Sequence, residues 1–175
     1  MRKYIRHFDR VIGQVITGLP KWVKPIMYIF TWLGEPPFTV GVAAVVLGYG
    51  LALGKPLYET AGIIALVTIA LGGALKLVLR RKRPITDYAK HMFIKTFSFP
   101  SGHAAGSVVS YVMGALIIAN RWPEFAAPAI TIAVLASILI GISRVYVGAH
   151  YASDVIGGWI IGSIGLWFIF SNFYL

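Results

Sequence analysis

The chain has 175 residues, of which 58% are hydrophobic and only 13% charged; it has no Cys and a formal net charge of +10. A soluble domain carries about a quarter charged residues, so this composition excludes an ordinary cytosolic globule. The absence of Cys excludes disulfides, a Cys nucleophile and thiolate metal sites. The basic excess does not indicate nucleic-acid binding, because the apolar runs leave no soluble surface. It indicates anionic lipid head groups or an anionic substrate.

The N-terminal region predicts one or two interfacial helices. Residues 1–19 combine basic residues with apolar side chains at three- and four-residue spacing, which is typical of an amphipathic helix at the membrane interface. A secretory signal fits less well, because Gln14 breaks the apolar stretch and no small-residue cleavage site follows. Residues 21–34 are apolar but too short to cross, and they predict a second interfacial or half-inserted helix.

Five apolar runs follow, each long enough to span a bilayer at about 20 residues per crossing. They cover residues 37–54, 57–79, 101–120, 125–147 and 152–174. We therefore predict an all-α integral membrane bundle of about five transmembrane helices. We expect a single domain over 1–175, with interfacial helices in 1–35 and a transmembrane catalytic bundle in 36–175.

The number of crossings predicts which loops share a face of the membrane. If all five runs cross, the polar stretch 80–100, the break near 148–151 and the N-terminal helices lie on one face. The breaks at 54–56 and 120–124 lie on the other. Gly and Ser at four-residue spacing inside the spans favour close helix packing, and we give them no functional role.

His150 and Asp154 are candidates for a catalytic pair at the head of the last span. Four residues apart, they are expected to share one helical face, so the carboxylate can hold one ring nitrogen and leave the other as a nucleophile or base. The alternative is a His–Asp hydrogen bond that only stabilises the end of a helix. Arg144, which ends the fourth span, suits bidentate binding of a phosphate. Its alternative is an arginine that snorkels to the interface.

The tetrapeptide Pro100-Ser101-Gly102-His103 opens the third span. Ser101 is a natural N-cap, and the free N–H groups of Ser101, Gly102 and His103 at the positive end of the helix dipole form an anion site. Gly102 lets an oxyanion approach the backbone, and His103 stands where a general acid is needed. The alternative is a plain capped helix start with an interfacial His.

Lys76 and Arg83 are expected two turns apart on one face at the end of the second span, before Pro84 stops the helix. Arg80 shares that face, so spacing does not choose among these cations. A basic stop, that is, a cluster of cationic residues at the membrane boundary after a span, accounts for Arg80, Arg81 and Lys82.

Together these fragments place three cations, two histidines, one carboxylate and one helix N-terminus on one face. Phosphoryl transfer without a metal needs this set: cations for the phosphate oxygens, a nucleophile, and an acid for the leaving oxygen. We expect no cofactor. A Mg²⁺ or Zn²⁺ site is disfavoured because the acids near that face form no carboxylate cluster, the acids being Asp9, Glu35, Asp87 and Asp154.

Three motifs closely resemble the signature of the type 2 phosphatidic acid phosphatases, membrane enzymes similar in their site to vanadium haloperoxidases and glucose-6-phosphatase. They are Lys76-x6-Arg83-Pro84, Pro100-Ser101-Gly102-His103 and Ser143-Arg144-x5-His150-x3-Asp154. The resemblance covers about residues 30–175. The N-terminus departs from it, because many bacterial members have six spans and this chain replaces the first with interfacial helices.

The resemblance implies a role for each matching residue. His150 would attack phosphorus to form a phosphohistidine, and Asp154 would hold its tautomer and stabilise the charged ring. His103 would protonate the departing lipid oxygen, and water would then hydrolyse the intermediate. The phosphate oxygens would be bound by Lys76, Arg83, Ser101, Gly102 and Arg144.

The expected substrate is a lipid phosphate already in the interface. Further basic residues on the same face, Arg80, Arg81, Lys82, Lys90 and Lys95, favour a head group with more than one anionic group. We therefore favour phosphatidylglycerophosphate, a polyprenyl diphosphate such as undecaprenyl diphosphate, or lipid A 1-phosphate over phosphatidic acid. The partners expected are the lipid substrate and the bilayer, without nucleic acid; the sequence does not indicate an oligomeric state.

The distribution of charge and the family resemblance predict opposite orientations of the site in the membrane. Only Lys55 and Arg121 of the sixteen Lys and Arg fall on the face away from the site, and the positive-inside rule would put the site in the cytoplasm. The resemblance implies a bacterial inner-membrane protein whose site faces the periplasm or outside, and we follow it because phosphate binding recruits several of these cations.

Two other functions fit parts of the pattern. A lipid phosphotransferase would use the same phosphohistidine and pass the group to another lipid instead of water. A non-enzymatic lipid-binding or transport protein would use the basic face only to hold head groups. A haloperoxidase fits less well, because those relatives are soluble.

Overall fold

The structure is a computed structural model, and it describes residues 2–92 and 96–174. The described part is helical and contains no strand. Its helices are α1 (Arg2–Thr17), α2 (Lys24–Leu33), α3 (Pro36–Leu53), α4 (Pro56–Leu79), α5 (Asp87–Lys90), α6 (Gly102–Ser107), α7 (Met113–Arg121), α8 (Ala126–Tyr146) and α9 (Ala152–Tyr174). A π-helical segment, Val108–Val112, joins α6 to α7, and short 3₁₀ turns lie at Lys21–Val23 and Pro123–Phe125.

Five helices are long and apolar enough to cross a membrane, which confirms the predicted fold class. They are Pro36–Leu53, Pro56–Leu79, Gly102–Arg121, Pro123–Tyr146 and Ala152–Asn172. The third of these is the central helix, since 50% of it is buried against 17% to 33% of the others. The helix that begins at the Ser-Gly-His motif is therefore surrounded by the rest of the bundle.

The two N-terminal helices lie against the bundle. Helix α1 contacts α8 and α9, where Ile12 and Ile16 pack on a cluster that includes Val145 and Val155. Its other apolar stripe is exposed and consists of Tyr4, Phe8, Val11 and Val15. This division matches the amphipathic helix predicted for 1–19, with a face available to lipid. Helix α2, the second predicted segment, packs against α8.

Glycines bring α9 into direct contact with the start of the central helix. A Cβ on Gly158 would lie 2.4 Å from the carbonyl oxygen of Ser101, and one on Gly162 would lie 2.6 Å from that of Ala105. Neither position has room for a side chain. The small residues thus pack helices as expected, and this packing sets the distance between the Ser101 and Asp154 motifs.

Candidate active site

His150 lies at the centre of the converging motifs and is almost fully buried. Its Nε2 lies 3.1 Å from Nη1 of Arg83, and its Nδ1 lies 3.6 Å from Oδ2 of Asp154. A guanidinium can only donate, so Nε2 carries the lone pair and the proton is on Nδ1, facing the carboxylate. Burial, with the nearby Lys76, Arg83 and Arg144 charges, holds the pKa of His150 well below its usual value. The ring is therefore a neutral potential nucleophile.

Asp154 is fully buried, and two donors hold its carboxylate. Its Oδ2 accepts from the Tyr151 N–H at 2.8 Å, and its Oδ1 accepts from Arg81 at 2.7 Å. The expectation that His150 and Asp154 share a helical face was wrong. Helix α9 begins at Ala152, so His150 lies in the preceding turn and is brought to Asp154 by that turn.

Arg83 does not extend the second span, contrary to the prediction. Helix α4 ends at Leu79 because Arg80 adopts a left-handed conformation (φ 46°), with its N–H donating to the Lys76 carbonyl. Arg80 therefore leaves the face that Lys76 occupies. Arg83 instead reaches the site from an extended segment, where it donates to the carbonyls of Thr96 and Ala149 at 2.8 and 2.9 Å.

Lys76 remains on α4 and points into the site. Its buried ammonium group donates to the carbonyls of Pro100 at 2.5 Å and Phe97 at 3.3 Å. This charge lies under the start of α6, where its Cε is the nearest neighbour of the side-chain position of Gly102. The cation and the helix N-terminus thus face the same space.

Arg144 is completely buried, which excludes an arginine that snorkels to the interface. Its Nη1 donates to the Tyr88 hydroxyl at 3.2 Å, and its guanidinium lies 5.4 Å from the centre of that ring. Its Nε and Nη2 atoms are buried and meet no acceptor among the described residues. Buried donors without partners are costly, so this group is suited to bind an anion.

The start of α6 matches the prediction in all but one detail. The Ser101 hydroxyl caps the helix by accepting from the Ala104 N–H at 3.5 Å. The Ser101 N–H is not free as expected, because it donates to the Asp154 carbonyl at 2.9 Å. The anion site at this N-terminus is therefore confined to the N–H groups of Gly102 and His103.

His103 is paired with Glu35, for which the sequence predicted no role in the site. The two side chains lie 3.2 Å apart, measured from His103 Nε2 to Glu35 Oε1. This contact lowers the pKa of the Glu35 carboxyl, against the opposing effect of its partial burial. Gly34 permits the approach, because a Cβ there would lie 2.9 Å from the His103 ring. An acid between glycine and two prolines before an apolar run was the available signal.

Arg81 also belongs to the site, and its interpretation as part of a basic stop was wrong. It bonds to Asp154 at 2.7 Å and to Asp9 of α1 at 2.6 Å. Its neighbours Arg80 and Lys82 are exposed, as that interpretation expected. Lys95 lies outside the described residues.

The donor set of the site suits an anion. Four cationic side chains, Lys76, Arg81, Arg83 and Arg144, surround His150 and Asp154. Among residues 2–92 and 96–174, no three His, Cys, Asp or Glu side chains are placed to bind one metal ion. The arrangement can hold the oxygens of a phosphate and present it to a neutral imidazole.

Comparison with known proteins gives the family. The family model described as the PAP2 superfamily matches residues 58–174. Phosphatidylglycerophosphatase B of Bacillus subtilis is 30% identical over 87% of this chain and 75% of its own length. An undecaprenyl-diphosphatase of Sulfolobus acidocaldarius is 32% identical over 55% of this chain and 46% of its own.

The fold comparison agrees with these relatives. The crystal structure of a transmembrane PAP2-type phosphatidylglycerolphosphate phosphatase from Bacillus subtilis superimposes with a TM-score of 0.78 and 26% identity. The match covers 98% of this chain and 88% of that one. The predicted family is confirmed: this chain belongs to the PAP2 superfamily.

Proposed function

We propose that this chain hydrolyses a phosphomonoester or diphosphate of a membrane lipid, without a metal, through a phosphohistidine on His150. Its family and its relatives bear out the broader class, a phosphoric ester hydrolase acting on lipids. The observation that carries the proposal is the buried His150 ring, whose Nδ1 faces Asp154 while Nε2 faces Arg83. Release of inorganic phosphate from a lipid phosphate by purified wild-type protein tests it.

In the first step, the Nε2 lone pair attacks phosphorus and the P–O bond to the lipid breaks. His103 donates its proton to the departing oxygen, and Asp154 stabilises the positive ring of His150. Lys76, Arg83 and Arg144 hold the equatorial oxygens, together with the Gly102 N–H. The Glu35 carboxylate favours the protonated form of His103.

In the second step, water attacks the phosphohistidine on the opposite side from the ring. His103, now neutral, takes a proton from the water, and the P–N bond breaks to release phosphate. The nitrogen lone pair returns to His150, so the ring is again neutral. Before the first step, a phosphate oxygen must replace the His150 lone pair as the acceptor of Arg83 Nη1, which frees the nucleophile.

An apolar groove of about 760 Å³ suits the lipid part of the substrate. It is lined by residues of α3, α7 and α8 and includes Leu33 and Tyr111, whose hydroxyl donates to the Leu33 carbonyl. Leu33 is adjacent to Gly34, which contacts the His103 ring. The lipid alcohol would therefore leave on the side of the acid that protonates it.

A basic cavity beside the site favours a substrate with two anionic groups. This cavity of about 490 Å³ is lined by Lys82, Arg83, Lys90 and Thr96, among others. Arg83 belongs to both the site and the cavity, so a second anion there would lie close to the reacting phosphate. We propose phosphatidylglycerophosphate, a polyprenyl diphosphate or lipid A 1-phosphate as substrate, in preference to phosphatidic acid.

Relative turnover in detergent tests this preference. Lys82→Gln and Lys90→Gln should raise the KM for phosphatidylglycerophosphate and undecaprenyl diphosphate, but not for phosphatidic acid. Lys55→Gln, a matched loss of charge on an exposed lysine beyond the other end of α4, should change neither. A clear preference of the wild type for phosphatidic acid would refute the proposed substrate class.

Two experiments separate the competing functions. A phosphotransferase would release no phosphate unless an acceptor lipid is added, whereas a hydrolase needs only water. A lipid-binding or transport protein would form no phosphoenzyme and would not depend on His150.

We propose an inner-membrane location in a bacterium, with the site facing the periplasm or outside. Because the chain has no Cys, one introduced thiol reports its own side of the membrane. Ile85 is 93% exposed in the loop beside the site, so Ile85→Cys should react with an impermeant maleimide added to intact cells. Lys55→Cys should react only after permeabilisation, and the reverse pattern would place the site in the cytoplasm.

A further inference from the structure

Asp9 is a buried carboxylate on an otherwise exposed stretch of α1. It is 6% exposed, whereas both its neighbours, Phe8 and Arg10, are exposed. Its Oδ1 accepts from the Ser153 N–H at 2.8 Å, and its Oδ2 accepts from the Ser153 hydroxyl at 3.0 Å. The carboxylate thus accepts hydrogen bonds from the first turn of α9, the helix that carries Asp154.

Arg81 joins this carboxylate to the one beside His150. Its Nη2 donates to Asp9 at 2.6 Å, and its Nη1 donates to Asp154 at 2.7 Å and to the Ser153 hydroxyl at 2.6 Å. The guanidinium also lies 4.2 Å from the centre of the Tyr151 ring. One planar group therefore bridges two buried acids and is held flat against an aromatic face.

The bridge determines how Asp154 can face His150. Arg81 occupies Oδ1, so only Oδ2 remains for the Tyr151 N–H and for Nδ1 of His150. Removal of the guanidinium would leave Asp154 buried without its closest counter-charge, and the carboxylate would turn or take up a proton. Either change would release the His150 ring from its orientation.

We propose that Arg81 and Asp9 are positioning residues, which act on His150 through Asp154, and that α1 is thereby part of the catalytic apparatus. This inference rests on the proposed function. If α1 serves only as a membrane anchor, Asp9 and Arg81 contribute to folding alone. The two possibilities differ in whether turnover changes in folded protein.

Kinetics of Arg81→Ala and Asp9→Asn make this distinction. We expect Arg81→Ala to lose about tenfold to a hundredfold in kcat with little change in KM, the usual cost of removing a group that orients a site residue. Millimolar guanidinium ion should restore part of the loss, because the side chain is 27% exposed. The kcat of Arg81→Lys should lie between those of the wild type and Arg81→Ala, since an ammonium cannot bridge both acids in one plane.

Asp9→Asn should lower kcat by a smaller factor, because the amide oxygen still accepts from Arg81. In the Arg81→Ala background it should add little, since only its contacts with Ser153 then connect Asp9 to the helix of Asp154. Glu124→Gln and Arg121→Gln are matched controls, with the same charge changes at exposed positions, and should leave kcat at the wild-type value. Thermal unfolding of each variant identifies losses that come from misfolding.

The ¹⁵N shifts of the His150 ring give a readout that does not depend on turnover. The wild type should show the proton on Nδ1, and Arg81→Ala should show a loss of this preference. Folded Arg81→Ala with wild-type kcat and wild-type shifts would overturn the inference, as would a kcat loss that follows stability and is not restored by guanidinium. If the wild-type protein released no inorganic phosphate from any lipid phosphate, the proposed function would be refuted. The ¹⁵N shifts of His150 would still test the positioning role in that case.

Discussion

The Nη1 atom of Arg83 lies 3.1 Å from the Nε2 atom of His150, so the arginine covers the lone pair that would attack phosphorus. This contact fixes the tautomer of the ring before substrate arrives. It also places the cation proposed to bind phosphate directly beside the proposed nucleophile. An incoming phosphate oxygen would replace Nε2 as the acceptor of the guanidinium. The lone pair of Nε2 would then be exposed next to the phosphorus atom.

The pH dependence of kcat/KM should show this arrangement. His150 must be neutral to attack, and its pKa is lowered well below 6.5 by burial and by the nearby cations. The acid limb that belongs to His150 should therefore lie well below pH 6.5. Arg83→Gln removes one cation, which raises the pKa of His150, so the residual activity should show this limb at higher pH.

Arg83→Lys is the matched control, because it keeps the charge and should leave the limb near its wild-type position. The second ionisation of the substrate phosphate, at about pH 6, adds a limb common to all three proteins. The groups that face His150 and remain in every variant are Asp154, Lys76, His103 and Arg144. A limb that stays in place in Arg83→Gln would contradict the assignment.

His103→Ala should slow the reaction according to the leaving group. A general acid contributes about a hundredfold to ten-thousandfold, and most to the poorest leaving groups. We expect the full loss of kcat/KM, which reports the first step, with a lipid phosphomonoester, a smaller loss with a lipid diphosphate, and little loss with p-nitrophenyl phosphate. Loss of the base in the second step should lower kcat alike for all three, so kcat/KM is the quantity to compare. An equal loss of kcat/KM with all three would mean that His103 binds phosphate and does not protonate the leaving oxygen.

Glu35→Gln should lower kcat by about tenfold with lipid phosphomonoesters, because the amide no longer favours the protonated form of His103. The same substitution should have no further effect in the His103→Ala background, since the only route of Glu35 to the reaction is that ring. Glu124→Gln, at an exposed acid beside the start of α8, is the control. Additive losses would indicate that Glu35 has a separate role.

Vanadate should inhibit the enzyme and raise its melting temperature, because it mimics a pentavalent phosphorus and supplies an acceptor for the unpaired Arg144 donors. Arg144→Lys should bind vanadate about tenfold to a hundredfold more weakly, since an ammonium cannot bind two oxygens in one plane. Arg121→Lys should behave as wild type.

Activity should persist in a chelator, and a loss of activity that Mg²⁺ or Zn²⁺ restores would argue against the metal-independent mechanism.

The spans and the motif residues could be predicted from the sequence because each depends on local spacing. The apolar runs locate the five helices within one or two residues of their observed ends. The motif positions Lys76, Ser101, His103, Arg144, His150 and Asp154 all lie where crossing helices bring their ends together. Even here, the predicted helical conformation of two residues was wrong. Arg83 lies beyond the left-handed residue that ends α4, and His150 lies in the turn before α9.

The supporting residues could not be predicted, because their partners lie far away in the sequence. Asp9 and Arg81 are separated by 72 residues, and no periodic pattern encodes such a pair. Glu35 meets His103 only because Gly34 allows the approach. Arg81 was concealed among four consecutive basic residues, 80–83, of which only the structure shows two turned inward.

The phosphohistidine itself gives the most direct test of the mechanism. Wild-type protein mixed with ³²P-labelled lipid phosphate and quenched within one turnover should carry label that is stable to base and labile to acid. Mass spectrometry of the peptide that contains residues 147–154 should place the phosphate on His150. His150→Ala should carry no label and lose about a millionfold in kcat, the scale seen when a catalytic nucleophile is removed. Label on another residue, or full turnover by folded His150→Ala, would contradict the mechanism.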